Sequence, residues 1–540
     1  MAMTRRTTVI LAGVLVGLLI FGVGVSILTA PKSGTIGTVD DAVTQGIVDP
    51  SVASDLRSSG QVTALVYLQS DAVYAQLTNL LGRDQVQALI TRMQQLYAAN
   101  KDLILASVGS GAVRLQDFEN IGLVEVRFSS EQALLAVARS PLVERVGEIG
   151  SYSLPNEDTT GVAGNWPVDP STYEGAGVAV GVLDTGVDIK LGDHMTDHKY
   201  FEPNPIAKLV EEAPEDGLAD DGGHGSHVSS IIHAVAPAAT IYVADVFSRK
   251  AANGLEKDEH GKLTGKYNNL AEWDDVAKGV DWLIGLRRTG TPIRAVNLSV
   301  GAGHYTSYCQ DRVRFGDLIK AGITPVVSSG NGAFEDDNGV ETQLFQPGIA
   351  SPACVRGTIP VGLVTNGWNY DADDNCVKEP TLQEQVISYS QSSPSGASAN
   401  VAIFAPGYCI LGADGYKSGT SMAAPHVTAA FADLVSARDA DAATITAALT
   451  GSGPQVTDVN TKITRHRLDV QAAIDSLLAG SLPVATNQGN DGTVPGGGTG
   501  PGSGSTGGGG GSLPVVPLVL IVGAALIGYW WYRRRKAPVA

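Results

Sequence analysis

Val178-Ala179-Val180-Gly181-Val182-Leu183-Asp184-Thr185-Gly186 is the stretch on which the fold turns. Its six leading residues carry no charge and no polar alternation, and an acid and a Thr-Gly turn close the run. Parallel sheets covered by helices on both sides produce strands of this kind. An acid at the carboxyl end of such a strand sits where open α/β sheets keep their ligands. The reading predicts a doubly wound, mainly parallel α/β domain with Asp184 on its functional edge. Two further runs fit the same sheet: Ala295-Val296-Asn297-Leu298-Ser299-Val300-Gly301 and Gly322-Ile323-Thr324-Pro325-Val326-Val327-Ser328-Ser329-Gly330-Asn331-Gly332.

Gly222-Gly223-His224-Gly225-Ser226-His227-Val228 precedes the apolar Ile231 and Ile232, which places His224 at the start of a helix. Gly419-Thr420-Ser421-Met422-Ala423-Ala424-Pro425-His426-Val427 feeds an Ala-rich apolar helix with Ser421 at its N-terminus. Unpaired N–H groups and the helix dipole there favour a developing negative charge. Pro425 is expected in the first turn, where a missing donor is tolerated. Acid, imidazole and hydroxyl thus follow one another in an order known for hydrolase triads. The glycine-flanked Asn331 amide is placed to donate to an oxyanion. The backbone of 299–301 offers an edge to an extended peptide.

Together these blocks resemble those of the subtilases, the subtilisin-like serine proteases. The resemblance covers about residues 177–478 and includes Arg467-Leu468-Asp469-Val470-Gln471-Ala472-Ala473. It implies a serine endopeptidase in which Ser421 is the nucleophile, His224 the base, Asp184 the orienting acid and Asn331 the oxyanion donor. It also implies that Ser299, Val300 and Gly301 form one wall of the cleft, and Ser328, Ser329 and Gly330 the other. The substrates implied are proteins or peptides, and no cofactor is required. The family usually shows Gly-Thr-His-Val-Ala-Gly after the histidine. This chain has Gly225-Ser226-His227-Val228-Ser229-Ser230, so Ser230 replaces a packing glycine and puts the fit of that helix, and with it the activity, in question. Two other functions stay open: a catalytically weak surface-binding scaffold of the same fold, and a dedicated processing protease of a secretion system. Mycosins likewise join an exported subtilase domain to a C-terminal membrane helix.

Other tempting residues read more plainly. His224 and His227 lack a third ligand in a zinc-binding pattern. His426 is expected to pack or hydrogen-bond within the serine helix. Asn297-Leu298-Ser299 matches a glycosylation pattern but lies in a predicted central strand. Asp371-Ala372-Asp373-Asp374-Asn375 lacks the glycine at the sixth place and the acid at the twelfth of a calcium loop. No metal is assigned, although the family resemblance leaves structural calcium open.

The 540 residues leave room for further domains, and a net charge of -18 argues against a nucleic-acid partner. Residues 1–30 read as a signal peptide or uncleaved anchor, and 31–61 as a linker. Residues 62–150 carry a strand–helix–strand–strand–helix–strand pattern, the ferredoxin-like order. Subtilase propeptides are similar, which implies an intramolecular chaperone and inhibitor removed by a cut between about 150 and 166. The peptidase domain spans 151–482, with polar segments at 248–269 and 334–346 read as loops. Its four cysteines, Cys309, Cys354, Cys376 and Cys409, point to two disulfides in an exported chain, with three pairings open on the residues alone. The pair found in one subtilase subgroup implies Cys309 with Cys354, leaving Cys376 with Cys409. Residues 483–512 form a Gly-rich linker, 513–532 an apolar transmembrane helix and 533–540 a basic cytoplasmic tail. The tail reads either as a permanent anchor or as a sorting signal after which the protein is released or attached at the surface. Either way the protease domain is expected outside the membrane.

Overall fold

The computed structural model describes residues 36–480, apart from 107, 414 and stretches within 72–84, 154–170, 188–222, 252–266, 336–343 and 371–375. The predicted signal segment, Gly-rich linker, apolar segment 513–532, basic tail and Asp371–Asn375 loop all lie outside the described residues. Among the described residues no helix is long and apolar enough to cross a membrane.

Residues 31–61 are not a linker. They carry α1 (Val39–Thr44) and α2 (Pro50–Ser59). A capping box between Thr38 and Asp41 starts α1. Pro50 at the first position starts α2, and left-handed Gly60 ends it. Val39, Ala42, Val52, Ala53 and Leu56 are buried in the core of the upstream domain. The remaining elements of that domain are β1 (Val62–Leu68), α3 (Val86–Ala106), β2 (Ala112–Asp117), β3 (Leu123–Phe128), α4 (Glu131–Ala138) and β4 (Val143–Gly147). The strands form an antiparallel sheet in the order β2-β3-β1-β4.

The larger domain is built on an eight-stranded sheet. Its centre holds β5 (Ala179–Asp184), β6 (Thr240–Asp245), β7 (Ile293–Leu298), β8 (Thr324–Ser328), β9 (Ile359–Tyr370) and β11 (Ile403–Pro406), all paired in parallel. β10 (Cys376–Val386) runs antiparallel to β9, and Phe201–Pro203 pairs with β6. One face carries α5 (His224–Val235), α8 (Thr420–Ala437), α9 (Ala442–Thr450) and α10 (Val470–Ala479); the other carries α6 (Trp273–Arg288) and α7 (Phe315–Lys320). Within β5, Ala179 and Leu183 join the α6/α7 core while Val180 and Val182 join the α5/α8 core. That division explains the unbroken apolar run, because both faces of the strand are covered.

The upstream domain packs on the α6/α7 face. Its Leu65, Tyr67, Phe118, Ile121 and Leu123 enter the same core as Val276 and Phe315. Asp281 accepts the backbone N–H groups of Glu119, at 3.1 Å, and Asn120. Asp317 accepts Gly122 N–H at 3.0 Å and Tyr97 O–H at 3.2 Å. Arg314 reaches Leu68 O and Glu144, each at 3.1 Å, and Lys320 reaches Ser70 at 2.8 Å. Burial alone would raise the Asp317 carboxyl, but Arg314 and Lys320 beside it hold it at about 2.

Two more sequence readings meet their outcome here. The segment 248–269 is not a plain loop: Ser248–Ala251 pairs with Tyr267–Glu272, which in turn pairs with Ser151–Ser153. Its polar composition hid an antiparallel pair of strands. The cysteines form Cys309–Cys354 and Cys376–Cys409 bridges, with Cα atoms 5.3 and 5.7 Å apart, and all four are used.

Candidate active site

Asp184 ends β5 and His224 opens α5, and the two meet in the interior at 0 % and 2 % exposure. His224 Nδ1 lies 2.5 Å from Asp184 Oδ1. A carboxylate only accepts, so Nδ1 carries the proton and Nε2 is left as the basic nitrogen. Thr185 N–H also donates to Asp184 Oδ1, at 2.8 Å, and Thr185 Oγ1 accepts Gly225 N–H at 2.9 Å. The strand end and the helix start are thereby laced together. Gly225 is needed for close approach, since a Cβ there would stand 2.0 Å from Gly186 O.

Ser421 is the second residue of α8, which packs against α5. It is fully buried, and among the described residues its Oγ has no hydrogen-bond partner. Asn331, just past β8, accepts from Thr420 N–H at 2.9 Å and Thr420 Oγ1–H at 2.8 Å through Oδ1. Two donors fix that atom as the oxygen, so the amide NH2 is turned the other way. It faces Gly419, where a Cβ would come within 2.8 Å of Nδ2.

The predicted cleft walls run from the ends of β7 and β8. Ser328 Oγ lies 3.5 Å from Val300 O, which brings the two walls side by side. Ser329 N–H donates to Val361 O, and Ser329 O accepts Ala350 N–H at 2.8 Å. Gly330 N–H donates to Thr420 Oγ1 at 3.1 Å, and Gly330 O accepts Gln391 N–H at 2.8 Å. With its backbone committed internally, this wall shapes a pocket rather than pairing with a substrate strand. Gly330 has φ +105°, and a side chain there would strike Gln391 Oε1 at 1.9 Å. Ser299 lies at the other wall, but its hydroxyl donates to Ser421 O at 2.8 Å.

Two residues went unnoticed in the sequence. Gln391 spans both sides, accepting Gly332 N–H at 3.3 Å and donating to Gly303 O at 3.0 Å. It sits in a Ser-rich stretch without a local pattern, so nothing nearby in sequence marked it. Thr420 lay inside the quoted block but had no assigned task. Ser230, the departure from the family pattern, donates to His227 O at 2.7 Å and accepts Ala413 N–H at 3.0 Å. Its hydroxyl is absorbed in a helix-to-hairpin link.

Pro425 is not in the first turn, because α8 begins at Thr420 and Pro425 is its sixth residue. His426 Nδ1–H donates to Met422 O at 2.8 Å within α8, and burial pushes its pKa down to about 4. It is a neutral packing residue, and Asn297 is wholly buried and so closed to glycosylation. Among the described residues, Glu272, Asp274 and Asp275 bring carboxylates within 4.8 Å of one another. Lys278 pairs with Asp275 at 2.7 Å and Asp274 at 3.4 Å and already supplies a positive charge there.

The subtilase family model matches residues 175–467. A subtilisin-like protease of Coccidioides posadasii (strain C735) is 30% identical over 274 residues, 48% of this chain and 52% of that protein. The major intracellular serine protease of Bacillus subtilis (strain 168) is 24% identical over 276 residues, 48% of this chain and 68% of that protein. The chain spans about half the length of the first curated relatives it matches. Fervidolysin from Fervidobacterium pennivorans, a keratinolytic enzyme related to subtilisin, superposes with a TM-score of 0.48 at 19% identity, covering 77% of this chain and 61% of that one. Since the family model takes in more than half of the 540 residues, the chain belongs to the subtilase family.

Proposed function

We propose that this chain is an exported serine endopeptidase made as a zymogen. Ser421 attacks the peptide carbonyl, forming a bond from Oγ to carbon as its proton passes to His224 Nε2. The tetrahedral oxyanion is met by the Asn331 amide and by the N-terminal amides of α8. His224 then gives the proton to the departing amine, and water repeats the sequence to free the acid. Asp184 keeps Nδ1 protonated throughout. The observation that carries the reading is the buried 2.5 Å Asp184–His224 bond beside a helix whose second residue is Ser421. Removing the serine of subtilisin itself costs about 10⁶ in turnover, and a loss of that order is expected for Ser421→Ala.

The upstream domain is the proposed propeptide. Its support is the buried, charge-assisted seat on α6 and α7, together with the pairing of Asp158 and Thr159 with Ser418 and Lys417, immediately ahead of Ser421. The segment 513–532 is the proposed tether or sorting tail, on its apolar length and the basic cluster after it. The test is self-processing of the full-length chain as wild type and as Ser421→Ala, read by mass and N-terminal residue. We expect a new N-terminus between 150 and 166 in the wild type alone. If both stay intact and Ser421 does not react with a fluorophosphonate, the protease reading is wrong.

A further inference from the structure

In an α-helix the carbonyl of residue 421 takes the N–H of residue 425. That residue is Pro425, which has no N–H. The carbonyl of the candidate nucleophile therefore lacks its helical donor, at a residue with 0 % exposure, where water cannot replace it. Ser299 fills the gap, donating Oγ–H to Ser421 O at 2.8 Å. The Ser299 hydroxyl accepts Asn297 Nδ2–H at 3.0 Å, and the Thr428 hydroxyl hydrogen is shared between Asn297 Oδ1, at 3.1 Å, and Ala424 O, at 3.2 Å. The chain of bonds leaves α8 at Thr428, crosses the end of β7 and returns to α8 at Ser421. All four residues are completely buried. β7 pairs directly with β5, Leu298 beside Leu183, so the relay fixes the nucleophile to the strand next to the one carrying Asp184.

We propose that Ser299 is a positioning residue for Ser421, its hydroxyl replacing the helical hydrogen bond that Pro425 deletes. The proposal rests on the serine-protease reading and gives the Ser299 side chain a task other than lining the cleft. It makes a specific demand: Ser299 and Pro425 must be coupled. Pro425→Ala returns an N–H opposite the Ser421 carbonyl, and in that background the Ser299 hydroxyl is no longer needed.

The test uses the full-length chain as wild type, Ser299→Ala, Ser299→Thr, Pro425→Ala and the Ser299→Ala/Pro425→Ala double variant. The readouts are the rate of fluorophosphonate labelling at Ser421, kcat and KM on a tetrapeptide p-nitroanilide with an apolar residue before the cleaved bond, and Tm. Ser299→Ala is expected to lower kcat and labelling by roughly 10- to 100-fold, the scale of a sub-ångström to ångström misplacement, with KM changed less than about twofold. Ser299→Thr, which keeps the hydroxyl, is expected to restore most of the rate. The double variant is expected within about threefold of Pro425→Ala alone, since coupled sites are non-additive. Equal losses in both backgrounds, or a change confined to KM, overturn the proposal. If Ser299→Ala does not fold, the double variant decides: folding and labelling like Pro425→Ala supports the relay, and failure to fold overturns it. A wild type that does not label refutes the protease reading instead. The relay is then judged on Tm alone, where additive shifts overturn it and non-additive ones support it.

Discussion

Gly225→Ala is the sharpest probe of how Asp184 and His224, the proposed acid and base, are held. A Cβ at residue 225 would lie 2.0 Å from Gly186 O and 3.1 Å from Gly186 C. Both are backbone atoms, so no side chain can swing away. Contacts below 3.0 Å are essentially never seen for a Cβ, so the two segments must part by about 1 Å. Gly186 follows Asp184 by two residues and Gly225 follows His224 by one. Carried through the backbone, the shift stretches the 2.5 Å Asp184–His224 bond to roughly 3.5 Å, the limit of a hydrogen bond. It also strains the Gly225 N–H bond to Thr185. A misplacement of that size costs about 10² in rate, and full loss of the orienting acid costs about 10⁴ in a serine-protease triad. We expect kcat to fall between those bounds, with overpacking lowering stability by roughly 1–3 kcal/mol. Fluorophosphonate labelling and peptide hydrolysis measure the first quantity, and denaturant unfolding the second. A Gly225→Ala protein that hydrolyses peptide within threefold of wild type refutes the reasoning.

Four further outcomes follow from the same geometry. Ser230→Gly, which restores the usual family residue, is expected to lower stability by about 1–2 kcal/mol without raising kcat, because it deletes the link from His227 O to Ala413 N and adds a helix glycine; chemical denaturation and kcat check it. Opening Cys309–Cys354, which are 45 residues apart, by Cys309→Ser with Cys354→Ser frees about 4 kcal/mol of unfolded-chain entropy on the loop-closure model, visible as a fall in Tm. His426 is held neutral, its pKa lowered from 6.5 to about 4 by burial, with the nearby His227 adding to the shift. Its contribution is therefore complete above pH 6.5 and disappears as pH falls through about 4, on the order of 3 kcal/mol, and His426→Gln should flatten urea-unfolding stability across that window. Asp317→Asn leaves Arg314 and Lys320 without a buried counter-charge and is expected to loosen the upstream domain by roughly 2–4 kcal/mol, read by its retention on gel filtration after the connecting segment is cut.

How much of this was legible in the sequence depended on the range of the signal. β5, the start of α5 and the serine helix are written in runs of nine residues or fewer, because apolar continuity and glycine placement are local. The domain seat was not legible: nothing local in sequence marks Asp281 and Asp317, whose partners, the backbone N–H groups of Glu119, Asn120 and Gly122, are far away in the chain. The helices in 31–61 were missed although Thr38, Asp41, Pro50 and Gly60 are cap residues. Short segments are marginal alone and are held by packing, here on Val146 through backbone bonds from Asp49 N–H and to Ile47 O. The Pro425 reading failed by one turn of register, and that turn decides whether its missing N–H matters.

That register error exposes how the site is assembled. The helix carrying Ser421 has two defects of its own. Gly419 at its N-cap has no side chain to cap an amide, and Pro425 leaves a carbonyl without a donor. A strand end repairs each one. Asn331, beyond β8, accepts the first helical N–H, that of Thr420, and Ser299, beyond β7, donates to Ser421 O. The backbone at Thr420 N–H and at Ser421 O is thus pinned by the sheet rather than by the helix alone. Without Pro425 the Ser421 carbonyl would be satisfied inside the helix, whereas the Thr420 N–H, in the first turn, needs an acceptor from outside in any helix. With the defects, Ser421 is indexed to the parallel strands that also set Asp184, and Asn331 acquires a fixed orientation because its oxygen is occupied. On the proposed reading, in which the Asn331 amide donates to the oxyanion, that fixed orientation is set before substrate arrives, which is the condition for electrostatic stabilisation without reorganisation.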